Sequence, residues 1–265
     1  FYHFEKNGKK HKVEKVICKP CLYDISLNLF DSIQPNAQMI FPYSLIDNVA
    51  VVIPEVELKS KFPFCFDYLN IHKEELSKRS FNNKDPKWYQ YGRSQSLTKF
   101  HDTEKIIFPV LSKSPSYSID SKNSQFTGGG NGPYYSIISK SEYSIYYLLG
   151  ILSHPILEAM VKSRASEFRG AYYSHGKQFI ENLSIPVIDF NKEDDFIKHN
   201  DIVKIVKSLI KTKASIKTTT NYQKRTVLKR KLDEQQKKLL DRLNYLFNVS
   251  KLDIEKITGD NLFVA

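Results

Sequence analysis

The sequence predicts an α+β fold: a mixed, curved β-sheet region with short helices, followed by a helical hairpin tail. Three observations point to it. Short apolar runs of strand length are spread through the first part of the chain, two leucine- and isoleucine-rich stretches at helical spacing fill the last part, and the composition changes between them near Pro186 and the acidic cluster Glu193-Asp194-Asp195. The boundary is placed there, giving residues 1–190 and 191–265.

Val49-Ala50-Val51-Val52-Ile53 and Lys105-Ile106-Ile107-Phe108-Pro109-Val110 read as buried strands. Tyr134-Tyr135-Ser136-Ile137-Ile138 follows a glycine-rich loop and reads as another. Ser139-x-x-Glu142 has the form of a capping box, opening a helix through about Leu152. Ser153-His154-Pro155 ends that helix and starts the next, with Ser153 as cap and Pro155 in the first turn. A further strand is expected around Ile185 to Ile188. In the tail, Ile202, Val203, Val206, Leu209 and Ile210 recur at helical spacing behind Asn200, a suitable cap. Thr218-Thr219-Thr220-Asn221 breaks that helix. The second helix carries Leu228, Leu232, Leu239, Leu243 and Leu246 as one stripe, and the short connection favours antiparallel packing.

The 265 residues are 41% hydrophobic, which supports a folded core and excludes wholesale disorder. No run approaches the roughly 18 apolar residues of a membrane span. The start, Phe1-Tyr2-His3-Phe4, has neither Met nor a leader pattern and reads as the interior of a longer polypeptide. Three cysteines are too few for a disulfide framework, so reduced thiols in a bacterial-type cytoplasm are expected. The net charge of +11 favours an anionic partner. It is unevenly placed: residues 191–265 hold 17 basic and 10 acidic side chains, and residues 1–190 hold 23 and 19. The basic residues of the second tail helix, Lys224, Arg225, Lys229, Arg230, Lys237 and Lys238, lie mostly off its apolar stripe, which suits either a solvated face or phosphate contact.

Catalytic motifs are weak. Asp47 and Glu57-Leu58-Lys59 flank an apolar run in the manner of a metal-dependent nuclease, but so short a pattern arises readily by chance. Cys18-x-x-Cys21 is half of a zinc or redox motif, and Pro20 makes a turn the simpler explanation. The seven histidines are scattered, with no pair at ligand spacing. Thr127-Gly128-Gly129-Gly130-Asn131-Gly132-Pro133 lacks the Gly-Lys-Ser/Thr ending of a nucleotide loop. It reads as a turn between strands or as a loop that approaches a nucleic-acid backbone. Trp88-Tyr89-Gln90-Tyr91-Gly92-Arg93-Ser94-Gln95 is the densest stretch. Its aromatics are either core anchors or, with Arg93 and Gln95, part of a nucleic-acid surface. No catalytic residue is assigned.

Several stretches, taken in order, carry a resemblance. They are Ile40-Phe41-Pro42-Tyr43, Pro54-Glu55-Val56-Glu57-Leu58, Phe62-Pro63, and Tyr68-Leu69 through Leu76-Ser77-Lys78-Arg79. The Trp88-to-Gln95 stretch and Lys105-Ile106-Ile107-Phe108-Pro109 follow, then Tyr147 through Ser153, Arg169-Gly170-Ala171-Tyr172 and Leu183-Ser184-Ile185-Pro186. Together they resemble the TaqI-like C-terminal specificity domain, the target recognition domain of type II (IIG-like) restriction–modification enzymes that methylate adenine in DNA. This domain is related to the specificity subunits of type I systems. The end fits too, with two helices, Leu243-Asn244-Tyr245-Leu246-Phe247, and a short acidic helix from Leu252 to Ile257.

The resemblance implies that residues 1–190 recognise double-stranded DNA and that residues 191–265 are a helical docking tail. It implies a non-catalytic chain whose parent has an upstream methyltransferase domain using S-adenosylmethionine, with Mg2+ added if the parent also cuts. Under this reading Arg93 and Lys105 hold phosphates. Gln95, Lys113, Lys122, Asn131, Tyr134 and Tyr135 approach the DNA, and Arg169 and Lys177 add backbone contacts from a glycine-bracketed loop. Two alternatives stand beside it: a type I-like assembly module that docks methyltransferase subunits, and a metal-dependent nuclease acting through Asp47, Glu57 and Lys59.

Overall fold

A computed structural model describes residues 1–93, 97–99, 103–127 and 132–258. The fold is α+β, with small antiparallel sheets and a helical C-terminal region. The chain forms two compact units: Phe1–Tyr23, Pro35–Thr103 and Asn123–Gln125 in one, and Asp24–Gln34, Glu104–Lys122 and Phe126–Ala265 in the other.

The first unit opens with a hairpin of β1 (Tyr2–Lys6) and β2 (Lys9–Val13). Asn7 and Gly8 both take positive φ, 52° and 72°, the turn whose twist matches the flanking strands. Strand alternation puts Phe4 and His11 on one face, where both rings meet Tyr68 at 5.0 and 5.1 Å. β3 (Cys18–Cys21) pairs with β4 (Ala37–Ile40), and β5 (Tyr43–Ile46) with β6 (Val49–Val52). Three short helices follow: α1 (Glu55–Lys61), α2 (Pro63–Ile71) and α3 (Lys73–Ser77). Glu14 holds the start of α2, its carboxylate accepting from the amides of Phe64 (3.0 Å) and Cys65 (2.9 Å). Val13, Ile17, Ile53, Leu58, Cys65, Leu69 and Tyr89 form the core of this unit. The expected burial of Val49–Ile53 does not hold. β6 belongs to a two-stranded ribbon with an uncovered face, so Val49 and Val51 are exposed and only Ile53 is buried.

In the second unit, β7 (Lys105–Pro109) is the middle strand of an antiparallel sheet between β9 (Ser118–Asp120) and β10 (Tyr134–Ile137). Its apolar run is buried as predicted. A smaller sheet has the order β11 (Glu167–Phe168), β12 (Tyr172–Ser174), β8 (Leu111–Ser112). The helices are α4 (Ile145–Leu152), α5 (Pro155–Arg164), α6 (Lys177–Ile180), α7 (Glu193–Thr218), α8 (Tyr222–Phe247) and α9 (Lys251–Thr258). One core joins the larger sheet, α4 and the tail: Ile106, Phe108, Tyr147, Leu149, Ile151, Val206, Leu209, Leu239 and Leu243. Gly150 lets α4 approach α7 closely, since a Cβ there would lie 2.9 Å from Ile202 Cγ2 and 3.0 Å from Val206 Cγ2. Gln235 donates to Ser208 (2.6 Å) and Arg242 to Asp201 (2.8 Å), a pairing that runs in opposite directions along α7 and α8 and so defines an antiparallel hairpin.

Several boundaries differ from expectation. α4 starts at Ile145 behind Ser144, whose Oγ accepts from Tyr146 N, while Ser139 donates to the Tyr143 carbonyl instead of opening a capping box. Ser153 donates back to the Gly150 carbonyl, and the cap of α5 is His154, with Pro155 in the first turn as predicted. α7 begins at Glu193 rather than behind Asn200, because the acidic triad fills its first turn, where carboxylates face the positive end of the helix. No strand forms at Ile185–Ile188; this segment is held instead by the Ile188 amide, which donates to Tyr143 Oη at 2.9 Å. The break at residues 219–221 lies where predicted, and Asn221 caps α8 by accepting from Lys224 N.

Candidate nucleic-acid interface

The small sheet of the second unit gathers basic and aromatic side chains that are far apart in sequence. In its register Phe168 faces Tyr172, and Tyr173 faces both Glu167 and Ser112. Lys113, one residue beyond Ser112, therefore comes opposite Tyr172, and its ammonium lies 4.9 Å from the centre of that ring. Phe168 and Tyr172 are half exposed, and Lys113 is exposed. Arg169 occupies the turn between β11 and β12, where Gly170 and Ala171 have positive φ. The result is an exposed row of Phe168, Tyr172 and Lys113 with Arg169 at its end. Arg and aromatic rings together suit a phosphate backbone and the faces of bases.

This sheet is fastened to α5 by His175. The two ring nitrogens meet the Tyr173 carbonyl at 3.1 Å and the buried Glu158 carboxylate at 3.0 Å, and its amide donates to the Val110 carbonyl. Lys162 lies over the Tyr173 ring at 5.3 Å and pairs with Glu158 at 3.4 Å. Sequence reasoning missed Phe168, His175 and Glu158. Nothing local marks β8 as the partner of β12, about sixty positions away.

The other predicted residues are placed as follows. Arg93 and Lys122 are exposed. Lys177 is exposed at the start of α6 and paired with Glu181 at 3.5 Å. Gln95 and Asn131 lie outside the described residues. Lys105 is fully buried on β7, with its ammonium 2.7 Å from Asp120, so it does not present a charge to a phosphate. Burial drives the Lys105 ammonium below the ordinary lysine range, and the Asp120 carboxylate opposes this. Tyr134 is buried, its hydroxyl donating to the Ile25 carbonyl (2.7 Å) and accepting from the Ile25 amide (2.6 Å). Tyr135 is half buried and stacks on Phe108 at 6.1 Å. The expected DNA-facing cluster therefore divides: Lys113 and Arg169 come together, and Lys105, Tyr134 and Tyr135 serve the core.

The Trp88-to-Tyr91 stretch resolves to core anchors. Tyr89 is buried and donates to the Ile53 carbonyl, Tyr91 donates to the Ile40 carbonyl, and its amide donates to Tyr43 Oη. Trp88 donates to Glu55. Gly92 is required by contact, since a Cβ would stand 2.7 Å from the Ser80 carbonyl oxygen. Cys18 and Cys21 lie in a strand rather than a turn. Three residues apart, they point to opposite faces. Burial, aided by Glu14, pushes the Cys18 thiol up to about 11, and burial also raises Cys21, which disfavours the thiolate that a metal or redox role needs. Glu57 pairs with Lys61 on α1, while Asp47 sits in the β5–β6 turn. Among the described residues, no group of three or more His, Cys, Asp or Glu could hold a metal ion. Nor, among them, is any helix long and apolar enough to cross a membrane.

The small sheet thus presents exposed basic and aromatic side chains beside one another. No protein-family model matches the chain. Across 99% of its length it is 28% identical to the Type II restriction enzyme and methyltransferase RM.Eco57I of Escherichia coli. The chain spans 28% of the length of that relative. This similarity supports a role connected with restriction and modification.

Proposed function

We propose that the chain is the DNA target recognition region of a restriction–modification enzyme, with residues 1–190 engaging double-stranded DNA and residues 191–265 supporting and docking them. The observation that carries this reading is a 28% identity, extending over 99% of this chain, to part of a restriction enzyme and methyltransferase. The exposed Phe168–Tyr172–Lys113 row and Arg169 give it a surface. In the parent, a catalytic part would transfer a methyl group from S-adenosylmethionine to an adenine that has left the stack. This chain contributes position and selectivity. Lys113, Arg169, Arg93 and Lys122 meet phosphates, which fixes register, and side chains around them discriminate base edges.

Fluorescence anisotropy with a labelled duplex tests this reading. Lys113→Ala and Arg169→Ala are expected to weaken binding to all duplexes, each shallowing the plot of log affinity against log salt by about one unit. A folded double variant with wild-type affinity and salt slope removes this sheet from the interface.

A further inference from the structure

The far end of the tail hairpin has a composition that neither core packing nor docking explains. From Ile202 to Leu232 the chain carries eight lysines and two arginines and not one Asp or Glu. Lys213 and Lys217 are occupied by Asp31, at 3.2 and 2.7 Å. The other eight (Lys204, Lys207, Lys211, Lys224, Arg225, Lys229, Arg230 and Lys231) are exposed, and none has a carboxylate partner among the described residues. Lys204, Lys207 and Lys211 recur at i, i+3 and i+7, on one face of α7. Five more stand within two turns of α8, ahead of its first buried residue, Leu239.

We propose that this acid-free end of the α7–α8 hairpin is a sequence-independent contact for the phosphate backbone of duplex DNA, a second binding surface beside the small sheet. The choice of DNA rests on the reading given above. The surface itself points away from a protein partner, because lysine is depleted and aromatic and apolar anchors are enriched at the centres of protein interfaces. Here lysine dominates, and Val227 and Tyr222 are the exposed large apolar side chains at this end of α8. A helix rises about 1.5 Å and turns about 100° per residue, so the five cations from Lys224 to Lys231 span roughly 10 Å of α8 but surround its axis, and about two or three of them can face one duplex at a time. The helix holds these charges in a fixed array, so less freedom is lost on binding than from a loop.

The test uses the full chain and a labelled duplex of scrambled sequence. One variant replaces Lys224, Arg225, Lys229, Arg230 and Lys231 by Gln. A control replaces five lysines from acid-containing parts of the tail: Lys192, Lys237, Lys238, Lys251 and Lys256. Circular dichroism checks that both remain folded. The first variant is expected to lose at least tenfold in affinity at low salt, with the salt slope shallower by about two to three units. The control is expected to change much less. Equal losses in both would reduce the effect to net charge and overturn the proposal. So would an unchanged slope in the first variant, which would leave this end to solvent or to a protein. Selection from a random duplex pool separates the two readings: no enriched sequence together with the expected slope loss would sink target recognition and leave this surface standing.

Discussion

Lys105 shows how the surroundings of a residue decide what its charge can do. At the head of an apolar run it reads as a basic side chain ready for phosphate, but its strand is the middle one of three, and the ammonium is buried against Asp120. Such a pair has little net worth compared with apolar residues of the same size, yet breaking it leaves a buried charge. Asp120→Ala is therefore expected to lose about 3–5 kcal/mol. The double change Lys105→Met with Asp120→Leu is expected to lose much less. Urea unfolding checks both, and a double variant as unstable as the single one would contradict the account. Tyr134 and Tyr135 follow the same logic: a tyrosine after a glycine-rich loop suits DNA or core until its neighbours are known, and here Tyr134 is buried while Tyr135 lies half buried against Phe108. The partner of Tyr134, the backbone of Ile25, lies more than a hundred residues away.

At the scale of elements, long periodic signals were legible and short ones were not. The two tail helices, their break and their antiparallel pairing follow from apolar spacing over 26 residues each. β7 and β10 follow from apolar runs. Strands of two residues, such as β8 and β11, have no pattern of their own and exist only through pairing at long range. Helix starts moved because several polar residues compete for each cap. His154 is the clearest case, since it caps α5 through Nδ1 and also ties that cap to α8, with Nε2 3.0 Å from Asn244 Oδ1 and its ring stacked on Phe247. Burial depresses its protonation below the ordinary histidine range, against the opposing bond to Asn244. The folded form holds the ring neutral. Stability from this group is thus complete above the unfolded value of about 6.5 and is lost as pH falls through it towards the lower folded value. Urea unfolding from about pH 8 down to pH 5 should show this decline in the wild type and a flatter profile in His154→Gln. Identical profiles would remove His154 as the group responsible.

For the whole molecule, the excess of positive charge acquires a location. The charge count alone suggested an anionic partner, with the larger share on the tail. The tail concentrates an uninterrupted positive stretch at one end of its hairpin. On the proposed reading, affinity and selectivity fall to different parts: cations on α7 and α8 for the backbone, and the small sheet with its aromatic row for closer contact. The sheet was legible only as separate residues, Lys113 and Arg169, because register rather than sequence proximity brings them beside Tyr172 and Phe168. The central claim is that the chain selects particular DNA sequences. It is tested most directly by incubating the 265-residue chain with a pool of random duplexes and sequencing what it retains. Enrichment of one short motif, lost on joint replacement of the neighbouring Phe168 and Tyr172 by Ala, is the predicted result; retention of DNA with no motif enriched would contradict it.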